Sequence, residues 1–329
     1  MDDDFLHSLR REPDPGYARA LREQLRALED APTRGFRLQP VLAGAAAVAL
    51  LAGAFTIPAV RVAAQSALDL FRVRSFAAVE VDEAHLEQLR KFHEANGNDP
   101  TMMVFDQQEK LQDPGPPVEY ASAALAAAAA GMPGLRQPGS LPGGLKFEKA
   151  AVNGEGRARL TLHADRLQHV LDALGITDVH VPMAVDGQKI AVHMPASVMQ
   201  WYTNGKRTLT VIEGNSPEVA LPPGADLRQL GEIGLRVLGL DADEARRTAA
   251  GIDWRSTFLV PVPSTATTFR HVDVNGHKGL FIRSEGNPTG PEGQQPRGAM
   301  VLWTEGDRVF AVQSNLSSED VLEVAQSLH

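Results

Sequence analysis

Apolar and polar positions divide the chain into two regions of different character. From Leu38 to Val60 it reads LQPVLAGAAAVALLAGAFTIPAV, 23 residues without a charge, bounded by Arg37 and Arg61. At 1.5 Å rise per residue such a helix reaches about 34 Å, against a hydrocarbon core of about 30 Å. Pro40 and Pro58 lie near its ends, where a missing backbone donor costs least. The pattern predicts a transmembrane helix over 38–60. One rival is a central helix of a soluble domain, which rarely stays uncharged for so long. The other is a signal peptide, whose charged leader is normally short. Here 37 residues precede the run, and Ala63-Ala64-Gln65 is a poor cleavage site. An uncleaved anchor fits best.

Before the span, Asp14-Pro15 reads as N-cap and first helical residue, and Ala18, Leu21, Leu25 and Leu28 recur on one helical face. A helix of about 16 residues is marginal alone. Leu21, Leu25 and Leu28 are therefore a candidate partner-binding face, with a solvated juxtamembrane helix as the plainer alternative. Arg19, Arg22, Arg26, Arg34 and Arg37 precede the span, against Arg61, Arg72 and Arg74 after it. The positive-inside rule then places the N-terminus in the cytoplasm and the C-terminal domain outside it.

Beyond the span the periods alternate between helix and strand, which predicts an α+β domain of antiparallel hairpins packed with helices. Val60 to Phe71 reads as a continuation of the membrane helix, Phe76 to Val81 as a first strand, and Asp82 to Glu94 as a charged helix. Ala121 to Ala130 is almost pure alanine and ends at Gly131-Met132-Pro133, before a Pro/Gly-rich loop to Gly144. Leu167, Val170, Leu171 and Leu174 form one helix face that Gly175 closes. VHVPMAV, Asp186-Gly187 and QKIAVHM read as a hairpin about a type I′ turn, although Pro182 demotes its strand to an edge or a bulge. That register sets Met183 against Ile190, Val181 against Val192 and Val179 against Met194. Further turns are marked by Asn204-Gly205, Asn275-Gly276 and Glu305-Gly306. Residues 285–298 read as a mobile loop. Leu227 to Leu238 suggests a helix, Asp241 with Glu244 a capping box, and Ser317 with Asp320 the start of a last helix. The organisation predicted is a cytoplasmic amphipathic segment over 1–37, the membrane helix over 38–60, a connector over 61–145 and the main domain over 146–329.

Charge enters here: 32 Lys+Arg against 41 Asp+Glu give −9, which argues against nucleic acid as a partner. The absence of Cys removes disulfides, thiolate metal sites and a Cys nucleophile. No HExxH, GxSxG or P-loop occurs. His85 and His93 are too far apart to share an ion, and His163 and His169 fall on different faces of a helix. The hairpin register instead sets His180 across from His193, where two imidazoles could take Zn²⁺ or respond to pH; two surface histidines are the plainer reading. Asp241 and Asp243 are explained by capping. Trp201 and Tyr202 are a candidate ligand groove, with a half-buried strand as the alternative. No assembled nucleophile, base or metal set supports an enzyme, and no metal or cofactor is expected.

Three passages carry a family resemblance: VAAQSALDLFRVRSFAAVEVD (62–82), AAGMPGLRQPGSLPGG (129–144) and AMVLWTEGDRVFAVQSNLSSEDVLEVAQSL (299–328). They resemble bacterial single-pass membrane proteins with a C-terminal extracytoplasmic domain of unknown function, often described as anti-sigma-factor-like. In that pattern a strand carries a tryptophan, here Trp303, and a final helix closes the domain. The resemblance implies a sigma factor as partner of the cytoplasmic segment and membrane lipid around 38–60. Zinc-binding anti-sigma factors carry a His-x₃-Cys-x₂-Cys motif, which this cysteine-free chain lacks. The alternative is an extracytoplasmic binding or carrier module for a peptide, lipid or envelope polymer.

Overall fold

A computed structural model describes residues 70–82, 84, 85, 87–89, 91, 109–221, 225–264, 267–285 and 298–329, all within one compact unit. The face at Leu21, Leu25 and Leu28, the span at 38–60 and nearly all of the loop at 285–298 lie outside these residues. Among the described residues no helix is long and apolar enough to cross a membrane.

The described chain opens with strands β1 (Leu70–Arg72), β2 (Ser75–Val81), β3 (Glu109–Gln112) and β4 (Val118–Tyr120). Helix α1 (Ala123–Ala129) leads to β5 (Lys146–Asn153) and β6 (Gly156–Thr161), and helix α2 (Ala164–Ala173) to β7 (Lys189–Met194). Strands β8 (Ser197–Thr203), β9 (Thr208–Asn215) and β10 (Glu218–Ala220) precede helices α3 (Leu227–Val237) and α4 (Ala242–Gly251). Strands β11 (Thr257–Pro263), β12 (Thr267–Val274), β13 (His277–Ser284), β14 (Gly298–Glu305) and β15 (Arg308–Ser314) then lead to helix α5 (Ser318–Ser327).

The molecule is α+β and mostly antiparallel. An eight-stranded sheet runs β12-β13-β14-β15-β9-β8-β5-β4, a five-stranded sheet runs β1-β10-β7-β6-β3, and β2 lies parallel to β11. Strands on either side of residue 145 share these sheets, since β4 pairs with β5, β3 with β6 and β1 with β10. One core joins the five-stranded sheet, α2, α3, α4 and the β2/β11 pair to Leu280 and Ile282 of β13. A second lies under α5, where Val321, Val324, Ala325 and Leu328 cover Trp303, Phe310 and Val312. Trp303 and Phe310 stack with ring centroids 5.1 Å apart.

Local signals explain the helix ends. The Ser317 hydroxyl accepts from the Asp320 N–H, Asp241 from the Glu244 N–H, and Asp226 from the Arg228 and Gln229 N–H groups. Asn275 at φ 52 and Gly276 at φ 85 adopt the paired positive φ that a tight β12–β13 hairpin demands.

Two expectations are corrected. Leu70 and Phe71 are not the end of a helix but part of β1, hydrogen-bonded to β10. The hairpin about Asp186-Gly187 does not form. Met183–Val185 is a short 3₁₀ turn, and β7 pairs instead with β6 and β10. Asp186 at φ −64, ψ 134 followed by Gly187 at φ 67 is a type II turn, which leaves the chain direction unsuited to a two-residue hairpin. Upstream, the Gln168 side chain accepts from the Val181 N–H and donates to the Val179 carbonyl, so these backbone groups are engaged by α2. His180 therefore does not lie across from His193, and Met183 is 72% exposed rather than paired with Ile190.

Candidate functional site

Gly131, at φ 62, ends α1, and the Pro/Gly-rich residues that follow form a strap along the eight-stranded sheet. The strap meets the C-terminus of the chain: the Gln137 N–H donates to the His329 carbonyl at 3.1 Å, and the Gly139 N–H to the Ser327 carbonyl at 3.1 Å. A segment with prolines at 133 and 138 cannot supply a full ladder, so side chains take up its remaining backbone groups. The Arg136 N–H donates to Glu213 Oε2 at 2.8 Å, and its carbonyl accepts from Gln200 Nε2 at 2.8 Å. The Arg136 guanidinium makes a bidentate pair with Glu305, at 2.7 and 2.5 Å. Arg308 donates to Glu213 and to the carbonyls of Pro133 and Gly134.

The surroundings of these charges are partly dry. Glu213 and Gln200 are fully buried, and Tyr202 donates its hydroxyl to Gln200 Oε1 at 2.9 Å. Arg136 sits over the Phe310 ring at 4.9 Å, and the Trp303 indole donates to Glu305 at 3.0 Å. Burial raises the pKa of Glu213 above the ordinary glutamate value despite the opposing pull of the Arg136 N–H and Arg308. Burial acts the same way on Glu305, but Arg136, the Trp303 N–H and His277 outweigh it and hold its pKa low. Burial also raises the pKa of the Tyr202 phenol. Each of these carboxylates is paired with an arginine, so the network ties the strap to the sheet.

Beside the strap lies a groove of about 580 Å³. Ala123, Ala124, Ala127 and Ala128 of α1 form one wall, and Met132, Pro133 and Leu135 of the strap form the other. Small side chains on the helix leave room for the groove. Its lining, which also includes Gly131, Gly134 and Gln137, has no titratable side chain.

The residues singled out earlier fall elsewhere. Trp201 and Tyr202 are adjacent on β8, so strand alternation sends them to opposite faces. Tyr202 is in the core against Leu209 and Phe147, while Trp201 is half-buried with the Lys149 ammonium 5.5 Å from its ring. They do not form one groove. The strap network was missed, yet parity offered a signal: Glu213 and Gln200 occupy core-facing positions alongside Leu209, Val211, Val198 and Tyr202.

One group with metal-ligand spacing was missed too. His163, Asp165 and Asp186 each place a ligand atom within 4.8 Å of the others, at the start of α2. The His163 ring is 4.0 Å from Asp186, which accepts the Ala164 N–H at 3.0 Å. Helix capping accounts for that carboxylate. The partial positive charge of a helix N-terminus favours both aspartates and opposes a cation. Compared with family models, with curated proteins and with solved structures, the chain matches none.

Proposed function

We propose that this chain is a non-enzymatic, single-pass membrane protein whose extracytoplasmic α+β domain binds a partner or ligand, and whose cytoplasmic N-terminal segment acts as an anti-sigma-like regulator. The observation that carries the binding role is the groove beside the strap: its walls are alanine, methionine, leucine, proline and glycine with the single amide of Gln137, and no acid, base or nucleophile is among them. Such a surface recognises apolar shape and offers nothing for bond making. The uncharged run at 38–60 and the resemblance at residues 62–82, 129–144 and 299–328 support the regulatory half.

The groove also favours a second reading, in which the domain is a carrier that holds an apolar peptide, lipid or envelope polymer and has no regulatory arm. One experiment separates the two. Affinity purification of the full-length chain from its own cells should recover a sigma factor, and Leu21→Asp/Leu25→Asp should abolish that recovery while leaving the chain in the membrane. Recovery of no sigma factor by the wild-type chain removes the regulatory reading and leaves the carrier.

A further inference from the structure

The five-stranded sheet carries a row of directly opposed side chains. Arg72 on β1 faces Glu218 on β10, Glu218 faces His193 on β7, and His193 faces Arg157 on β6. Opposed residues share one face of a sheet, so this is a single ladder of charge. His193 Nε2 lies 2.9 Å from Glu155 Oε1, and Nδ1 lies 3.4 Å from Glu218 Oε2. Each carboxylate has its own arginine, Glu155 with Arg157 and Glu218 with Arg72. Asp307 and Arg74 complete the charged set around β1.

An ionised carboxylate accepts and cannot donate, so each ring nitrogen must donate for both contacts to be favourable. Only the imidazolium has two N–H groups. A neutral ring turns one lone pair towards a carboxylate and loses that contact. Arg157, opposite the ring, opposes its charge, and the Glu155 carboxylate beside both offsets this.

We propose that His193 is a proton-operated latch on β1: as an imidazolium it ties β10, and through it β1, to β7, and as a neutral ring it gives up one tie. The strands it secures are short. Both β1 and β10 have three residues, so one lost cross-strand contact is a large share of what holds them. The Arg72 N–H to the Arg255 carbonyl and the Val73 N–H to Ser216 Oγ keep the neighbouring backbone attached, which makes the change a local loosening. The latch is closed while both ring nitrogens carry a proton and open once one of them has lost it. It is independent of what the groove binds.

Hydrogen exchange on the full-length chain in detergent tests it, after correction for the intrinsic pH dependence of exchange. Relative to β13 and β14, protection of residues 70–75 and 217–221 should fall about tenfold between roughly pH 5.5 and pH 8, the scale of one charge-assisted hydrogen bond. His193→Gln, which carries no charge, should hold those amides at the high-pH level throughout. Ring ¹⁵N shifts of wild-type His193 give a second reading that needs no variant: both nitrogens should be protonated at the acid end. Unchanged relative protection in the wild type, a pH effect that survives His193→Gln, or a neutral tautomer at the acid end overturns the latch.

Discussion

Glu213 and Glu305 hold the same strap, yet their buried settings give them opposite responses to acid. Glu305 has a depressed pKa, so its contribution to stability is present above the unfolded-state value of about 4.3 and is lost as pH falls through the lower folded value. Glu213 has a raised pKa, so the folded state takes up its proton more readily than the unfolded chain, and acid favours folding through this group. Glu305→Gln should therefore flatten the loss of stability on acidification below about pH 5, and Glu213→Gln should steepen it. Urea melts across a pH series check both slopes, and equal slopes in the two variants would refute the assignment. At neutral pH Arg136→Ala should cost about 2–3 kcal/mol, below the 3–5 kcal/mol of a broken fully buried pair because the arginine side chain is 29% exposed. Reduced protection of residues 133–139 in hydrogen exchange would place that loss in the strap.

At the scale of elements, signals spanning three or four residues proved readable, while signals that depend on a distant competitor did not. Ser317 and Asp241 cap helices because their side chains reach backbone three residues ahead, within a single turn of chain. The Asp186-Gly187 hairpin failed on competition. β6 and β10 took both edges of β7, and Gln168 took the backbone of residues 179–181. The strap network was hidden for a related reason: Arg136 lies 77 residues from Glu213 and 169 from Glu305, so each reads in isolation as a solvated charge. Gly231 shows the same contest in packing. In a helix interior Gly→Ala normally gains about 1 kcal/mol. A Cβ at 231, however, would meet the Trp254 ring at 2.2 Å, and that ring is fixed by its indole bond to the Ala249 carbonyl at 2.9 Å. Overpacking of this kind costs about 1–3 kcal/mol, so Gly231→Ala should be net destabilising by up to about 2 kcal/mol. A rise in urea midpoint would show that the ring yields freely.

For the whole molecule, the proposed span at 38–60 decides the setting of the domain, and chain length narrows where the domain would then sit. Only nine residues separate Val60 from Leu70, and fully extended they reach about 30 Å. If 38–60 spans the bilayer, β1 starts close to the membrane face and the rest of the described chain is built onto it, through β10 and the turn at Asp307. On that reading, five arginines within residues 18–37 against three within residues 61–80 predict an N-terminus in the cytoplasm. The absence of cysteine makes this directly measurable, because any introduced cysteine is the only thiol. Met183→Cys suits the outer probe, since Met183 is 72% exposed on the short turn before β7. Ser8→Cys marks the other side. In intact spheroplasts an impermeant maleimide should label position 183 at once and position 8 only after permeabilisation, with the chain retained in the pellet after a carbonate wash. Labelling at position 8 before permeabilisation would reverse the orientation, and release of the full-length chain by carbonate would remove the anchor itself.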